Sequence, residues 1–71
     1  MKQKKILPLM TVERIMKLNG AYRVSEDSKE ELRDILEEKA AEITKKAIEY
    51  AKHAKRSTIK KTDIKLAARL I

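Results

Sequence analysis

The segment SEDSKEELRDILEEKAAEITKKAIEYAKHAK, residues 25–55, decides the fold. No proline or glycine interrupts it, and its apolar residues recur every three or four positions, which is typical of one face of a helix. Ser25 suits the cap position, because its hydroxyl can accept a hydrogen bond from a first-turn amide. The apolar stripe consists of Leu32, Ile35, Leu36, Ala40, Ile43, Ala47, Tyr50, Ala51 and Ala54.

A helix over residues 25–55 would be roughly 45 Å long. That is too long for a compact monomer of 71 residues, whereas two copies crossing at their midpoints could cover each other's stripe. Cysteine is absent and His53 is the only histidine, which excludes a disulfide framework, a thiolate metal site and a zinc site built on histidines. We therefore expect association to stabilise the chain. The predicted dimer core consists of Leu32, Ile35, Leu36, Ile43 and Ala47.

A shorter helix is predicted on each side of the long one. Residues 8–19 have helical apolar spacing, with Pro8 suited to the first turn and Gly20 to the left-handed position after the helix. Residues 21–24 form a short connector of extended character. The third helix is predicted to begin at Thr62 or Asp63 and to present Ile64, Ala67, Ala68 and Ile71 on one face.

Positive charge lies at both ends of the chain. The formal net charge is +7 and the isoelectric point is near 9.8. Residues 1–25 hold six basic side chains and one acidic side chain. Residues 26–42 hold three basic and eight acidic side chains, and residues 43–71 hold nine basic and two acidic side chains. This pattern indicates a directed basic surface. The alternative is a charged surface tuned for solubility or for growth at high temperature.

Several classes of protein are excluded by the sequence. No apolar run approaches the about 20 residues that span a bilayer. The run from Ile6 to Met10 is too short for a signal peptide and contains Pro8, so we expect a cytoplasmic protein. No nucleophile with a nearby base and no glycine-rich phosphate loop is found. We expect no enzyme, no cofactor, no metal, no membrane partner and no small-molecule substrate.

From about Leu7 to Ile71 the sequence closely resembles the archaeal histones. No single motif is decisive, but their order and spacing together are specific. The matching pieces are Leu7-Pro8, Arg14-Ile15, Gly20 to Ser25, Ile35 to Glu38, Ala47-Ile48, Ala51 to Ala54, Arg56 to Lys60, Asp63-Ile64 and Leu66-Ala67.

The resemblance implies an all-α histone fold of short helix, loop, long central helix, loop and short helix, forming an interlocked head-to-tail dimer. Residues 1–6 would be a basic N-terminal tail and residues 7–71 the histone-fold domain. It also implies that Arg23-Val24 and Thr58-Ile59 pair across the dimer as short parallel strands. Each chain's first loop would then lie beside its partner's second loop.

The resemblance further implies an architectural protein that binds, bends and compacts double-stranded DNA with little sequence preference. Such a protein should bind phosphates and leave base edges unread. Arg23 resembles the family arginine that enters the minor groove, and Thr58 the threonine that holds it beside phosphate. Arg56 would pair with Asp63 to fix the second loop. The implied DNA-binding residues are Arg14, Lys17, Arg23, Arg56, Ser57, Thr58 and Lys60.

Departures from the family pattern bear on how DNA is bound. Ser57 stands where many relatives have lysine, which removes one phosphate contact per chain, and Lys55 replaces a common glycine. Glu30, Glu31 and Asp34 make the start of the long helix more acidic than is typical, which puts the usual wrapping path in question. Lysines of the tail offset part of this charge; they are Lys2, Lys4 and Lys5.

The resemblance leaves the assembly open between a homodimer, a tetramer, a longer polymer of dimers and a heterodimer with a paralogous histone. The dimer–dimer interface implied by the family consists of Tyr50, His53, Asp63 and Leu66. A lone histidine on a helix is more often structural. The competing interpretations are a histone-fold subunit that pairs with another protein in a transcription or repair assembly, and a coiled-coil scaffold. The basic loops, and the absence of a domain after the third helix, favour the histone.

Overall fold

Three α-helices make up the computed structural model over the residues that it describes, 5–70. Helix α1 spans Leu9–Leu18, α2 spans Glu26–His53 and α3 spans Lys61–Arg69. This order of short, long and short helices confirms the predicted all-α architecture. Residues 1–4 of the predicted tail, and Ile71 on the predicted face of the third helix, lie outside the described residues.

Helix α1 begins at Leu9. The sequence predicts Pro8 within the first turn, but in the structure Pro8 occupies the cap position just before it. Pro8 has an extended backbone, with φ −67° and ψ 142°. Its carbonyl accepts the first helical hydrogen bonds, from the N–H groups of Thr11 at 3.2 Å and Val12 at 3.3 Å. Proline suits this position because it has no N–H of its own to leave unpaired.

Helix α2 begins as predicted and ends earlier. The Ser25 hydroxyl accepts a hydrogen bond from the N–H of Ser28 at 3.2 Å, which caps the first turn. The predicted end at Lys55 is wrong by two residues, because the helix stops at His53 and the chain turns at Ala54 and Lys55. Ala54, assigned to the apolar stripe from the sequence, is therefore an exposed turn residue.

Helix α3 begins at Lys61, before the predicted Thr62 or Asp63. The reason is that the Asp63 carboxylate acts from the third position of the helix, where it accepts the N–H of Lys60 at 2.8 Å. An acidic side chain there satisfies an otherwise free donor and lies at the positive end of the helix dipole.

The chain divides into two units, Met1–Glu37 and Glu38–Ile71. In the first unit, Val12 of α1 is fully buried. Lys29 of α2 binds Glu13 of α1, with Nζ 3.3 Å from Oε1, and also binds Glu26 at 3.1 Å. The hydrogen bond that Lys29 donates to Glu26, and then the one it donates to Glu13, raises the pKa of Lys29. The Lys29–Glu13 ion pair joins α1 to the first turn of α2.

The segment before α1 is bound to the same unit. Lys5 Nζ lies 3.0 Å from Oδ1 of Asp34, which lowers the pKa of that carboxyl group. The N–H groups of Ile6 and Leu7 both donate to Oε2 of Glu37, each at 2.7 Å. The backbone hydrogen bond from Leu7, and then that from Ile6, lowers the pKa of Glu37. Lys5 and Ile6, assigned to the basic tail from the sequence, are thus bound to α2.

In the second unit, the buried apolar side chains are small. Ala47 and Ala51 lie one turn apart on α2, and Ala67 lies on α3; none is more than 3% exposed. Asp63 is the buried charged residue of this unit, at 3% exposure. Ala47, predicted to lie in the dimer core, is therefore already covered by its own chain.

Much of the apolar surface of the described chain remains uncovered. On the predicted stripe, Ile35 is 43% exposed, and Leu32, Leu36, Ile43 and Tyr50 are half-buried. Exposed large apolar side chains also occur elsewhere; they are Ile6, Met10, Ile15, Leu18, Tyr22, Ile48, Ile64, Leu66 and Leu70. Such extensive apolar exposure is typical of a surface that binds a partner.

Candidate nucleic-acid interface

The basic residues of the first unit lie on α1 and in the loop after it. Arg14 and Lys17 are one turn apart on α1 and both side chains are exposed. Arg23 lies in the first loop, residues 19–25, and is also exposed. Among the described residues, no ion pair engages Arg14 or Arg23. Both guanidinium groups are therefore available to phosphate.

Lys17 differs from these arginines because it is paired within its own helix. Its Nζ lies 3.2 Å from Oε2 of Glu13, four residues earlier, and its side chain remains 51% exposed. The hydrogen bond from Lys17, and then that from Lys29, lowers the pKa of Glu13. A phosphate that binds Lys17 must therefore compete with an exposed ion pair, which contributes little in water.

The first loop has a defined backbone. The N–H of Gly20 donates to the carbonyl of Lys17, and that of Ala21 to the carbonyl of Met16, both at 3.1 Å. These two bonds form the Schellman ending of a helix, in which the residue after the cap is left-handed. Gly20 has φ +106°, and a Cβ placed there would meet no atom within 4 Å. Position 20 therefore favours glycine because of its backbone angle, and not because a side chain there would clash with other atoms of this chain.

The second loop, residues 54–60, is fixed by an ion pair to α3. Arg56 donates through both terminal nitrogens to the two carboxylate oxygens of Asp63, at 2.9 and 3.0 Å. It also donates to the carbonyl of Thr58 at 2.9 Å. The hydrogen bond from Arg56, and then that from the Lys60 N–H, lowers the pKa of Asp63 to about 2. The pairing holds Thr58 by its backbone and leaves its side chain exposed.

The other predicted DNA contacts of this loop are exposed. Ser57 and Lys60 are both open to solvent, and Lys60 also occupies the cap position before α3. Arg56 is different, because its side chain is only 28% exposed and its charge is balanced by Asp63. The structure therefore joins Arg56 and Asp63 in one contact and leaves Ser57, Thr58 and Lys60 accessible.

Sequence reasoning missed two features of these units. It did not anticipate that Glu37 binds two backbone N–H groups, because nothing in the pattern distinguishes this glutamate from Glu38 beside it. It also did not anticipate the left-handed backbone of Lys55, at φ +59°. The place where the apolar stripe stops, with no glycine available, is the signal that could have revealed it.

The residues predicted to join dimers have unequal accessibility. His53 is exposed at the last position of α2, Leu66 is 47% exposed on α3, and Tyr50 is half-buried. Asp63 is almost fully buried and already accepts three hydrogen bonds. A carboxylate can accept about four. Its Oδ1 atom receives only one of the three, so capacity for one further donor remains.

The acidic start of α2 is partly neutralised. Asp34 binds Lys5 and Arg33, with Oδ1 distances of 3.0 and 3.3 Å. Glu30 and Glu31 remain exposed, with no ion pair to another described residue. Unbalanced negative charge near the first turns of α2 is therefore smaller than the sequence alone indicates.

Two further findings concern the described residues only. They contain no group of three or more His, Cys, Asp or Glu side chains that could hold a metal ion. None of their helices is both long and apolar enough to pass through a membrane.

Known proteins with similar sequences match most of this chain. A profile of the family described as "Histone-like transcription factor (CBF/NF-Y) and archaeal histone" matches residues 5–68. The chain is 46% identical over 63 residues to one of the subunits of the archaeal histone HAN1 from Thermococcus zilligii. It is 48% identical over 63 residues to probable archaeal histone 3 of Methanocaldococcus jannaschii. Each alignment covers 89% of this chain and 94% of the relative.

Proposed function

The chain belongs to the family of histone-like transcription factors (CBF/NF-Y) and archaeal histones, and we propose that it binds, bends and compacts double-stranded DNA as an architectural protein of chromatin. The observation that carries this proposal is the set of exposed cations on α1 and in both loops of a chain with net charge +7. Such cations bind the phosphate backbone of any sequence. The role is one of binding, at the chromosome, and needs no catalytic group.

The binding unit is a histone-fold dimer. The described chain buries few apolar side chains of its own, and Ile35 of the predicted stripe is 43% exposed. Large exposed apolar surfaces gain stability when a second chain covers them. The proposed dimer core is formed by the stripe residues Leu32, Ile35, Leu36, Ile43 and Ala47. Head-to-tail pairing would place the first loop of one protomer beside the second loop of its partner.

The proposed DNA contacts have different roles. Arg23, exposed and without an ion pair in the described part of the chain, enters the minor groove. Insertion of arginine there holds DNA without reading bases. Thr58 lies beside the same phosphates, and Arg56 acts chiefly through the loop that it fixes. Phosphate is bound from α1 and from the second loop by Arg14, Lys17, Ser57 and Lys60.

Larger assemblies are proposed to form through the end of α2 and α3. His53 and Leu66 are exposed there, and Oδ1 of Asp63 retains capacity for one donor. A histidine of a second dimer could supply that donor, with Tyr50 as an apolar neighbour. A tetramer, a longer polymer of dimers and a heterodimer with a paralogous histone differ in how many such contacts are made.

A salt titration on two DNA duplexes of unrelated sequence tests the proposed function. We expect both duplexes to bind with similar affinity, which falls steeply and linearly on a double-logarithmic plot of affinity against salt concentration. A strong preference for one duplex would contradict an architectural role. Absence of binding even at low salt would favour the alternative function, a histone-fold subunit that pairs with another protein.

A further inference from the structure

Lys55 has a backbone conformation that a lysine adopts at a cost. Among residues 5–70 it is the one non-glycine residue with positive φ, at +59°. Its N–H donates to the carbonyl of Lys52, and the N–H of Arg56 donates to that of Ala51, both at 2.9 Å. This is the Schellman ending of α2, and glycine is its usual left-handed residue because a Cβ lies close to the carbonyl oxygen there.

The same chain ends α1 with glycine at the equivalent position. Gly20 is left-handed and donates the corresponding hydrogen bond to Lys17 at 3.1 Å. Glycine would therefore suffice to end α2, and the turn alone does not account for a lysine at position 55. The charge of its ammonium group is what lysine adds there.

The charges of the second loop show what that ammonium supplies. Arg56 is paired through two hydrogen bonds with Asp63, so this pair carries no net charge. Ser57 and Thr58 are uncharged. Within the described residues, the exposed cations of the loop that form no ion pair are Lys55 and Lys60. Half of the unbalanced positive charge of this loop thus belongs to Lys55.

We propose that Lys55 is a phosphate-binding residue of the second loop, supplying the positive charge that Arg56, engaged by Asp63, does not offer to DNA. The proposal deepens the proposed function and rests on it. A lysine suits this role because its flexible stem carries a compact charge to any nearby phosphate, without need of a fixed geometry. The conformational cost of a left-handed lysine is then offset by binding.

The test uses the full chain with Lys55 changed to Ala, Gly or Arg. Affinity for a fluorescent duplex of mixed sequence is measured across a potassium chloride series. Lys45→Ala is the matched control, because Lys45 is an exposed lysine inside α2 without an ion pair in the described residues. Thermal unfolding of each variant, at one protein concentration, shows whether it is folded.

We expect Lys55→Ala and Lys55→Gly to weaken binding by roughly tenfold or more at 0.1 M salt and to reduce the salt slope by about 1 per chain, or about 2 per dimer. Lys55→Arg and Lys45→Ala should keep the wild-type slope. Lys55→Gly should nevertheless unfold at a higher temperature than Lys55→Ala, since glycine relieves the left-handed backbone. Weaker DNA binding by the more stable variant would exclude misfolding as the cause.

Two results would overturn the proposal while leaving the proposed function intact. In one, wild type binds DNA and both neutral variants bind with the same affinity and slope. The Lys55 charge would then act only on the carbonyl end of α2. In the other, the neutral variants bind more weakly with an unchanged slope, which would indicate an altered loop and no lost phosphate contact. If wild type itself fails to bind DNA, both proposals are wrong.

Discussion

Asp63 of α3 receives both terminal nitrogens of Arg56, at 2.9 and 3.0 Å, while its own side chain is only 4% exposed. The same carboxylate accepts the N–H of Lys60 at 2.8 Å. One acidic group therefore closes the second loop and caps the helix that follows. The conformation of this loop depends on Asp63 being ionised.

The pH dependence of unfolding follows from this pairing. The pKa of Asp63 is lowered from its usual 3.8 to about 2, so its ionised form is favoured by folding. The contribution to stability is fully present above pH 4 and is lost as the pH falls from about 4 through about 2. We expect Asp63→Asn to unfold at a lower temperature than wild type near neutral pH.

The unfolding temperatures of wild type and Asp63→Asn are measured from pH 7 down to pH 2. Their difference at each pH isolates the contribution of the Asp63 carboxylate to stability. Glu13, Asp34 and Glu37 also have lowered pKa values, but they are present in both proteins. The difference should shrink steadily below pH 4. A difference that stays constant over this range would show that the charge of Asp63 does not stabilise the loop.

The left-handed backbone of Lys55 makes a prediction for stability that is independent of DNA. Lys55→Gly should be more stable than Lys55→Ala by about 1 kcal/mol, because both variants lose the charge and only glycine relieves the strain. Chemical unfolding at equal protein concentration measures the difference. Equal stability of the two variants would mean that position 55 is not held left-handed in solution.

The hydrogen bonds to Glu37 predict local order at the start of the fold. Glu37→Ala removes the acceptor of the Ile6 and Leu7 N–H groups, so these two amides should exchange with solvent faster by tenfold or more. Amide exchange measured by NMR gives the rates. Glu38→Ala is the control, since Glu38 is an exposed neighbour whose side chain forms no hydrogen bond with the described residues. Equal exchange in the two variants would contradict the contact.

The exposed stripe predicts how the dimer responds to truncation. Ile35→Ala should weaken association by about 1–2 kcal/mol per chain, because a side chain that is 43% exposed here would be buried by the partner. The dimer dissociation constant, measured by sedimentation equilibrium, should rise at least roughly 30-fold. Met10→Ala is the control, as Met10 is 82% exposed and lies outside the proposed core. Equal effects of the two substitutions would argue against a dimer through this stripe.

The long helix and its cap could be predicted because their signals are local. In α2 the apolar residues recur with helical spacing and without interruption, and Ser25 precedes two acidic residues. These features specify a long helix that begins directly after Ser25. The ends of helices were predicted less well. Asp63 makes α3 begin early by accepting the N–H of Lys60, and the turn at Lys55 forms without the glycine that normally marks it.

In the candidate site, too, the features that are local in the sequence could be predicted and the contacts between distant residues could not. Exposed cations on α1 follow from helical spacing, so Arg14 and Lys17 could be placed on one surface. The pairing of Lys17 with Glu13 is also local, at four residues apart. By contrast, the contact of Glu37 with the segment before α1 joins residues about thirty positions apart. No short-range pattern encodes such a contact, because it depends on how α1 packs against α2.

Nuclease protection of a long duplex saturated with the protein tests the central claim most directly. Micrococcal nuclease should leave protected fragments of regular length with wild type, because dimers bound along the backbone shield DNA irrespective of its sequence. The same digestion with Arg23→Ala should give weak or no protection, since the proposed minor-groove anchor is lost. Complete digestion in the presence of wild type, under conditions where Asp63 is ionised and the protein is folded, would contradict the account.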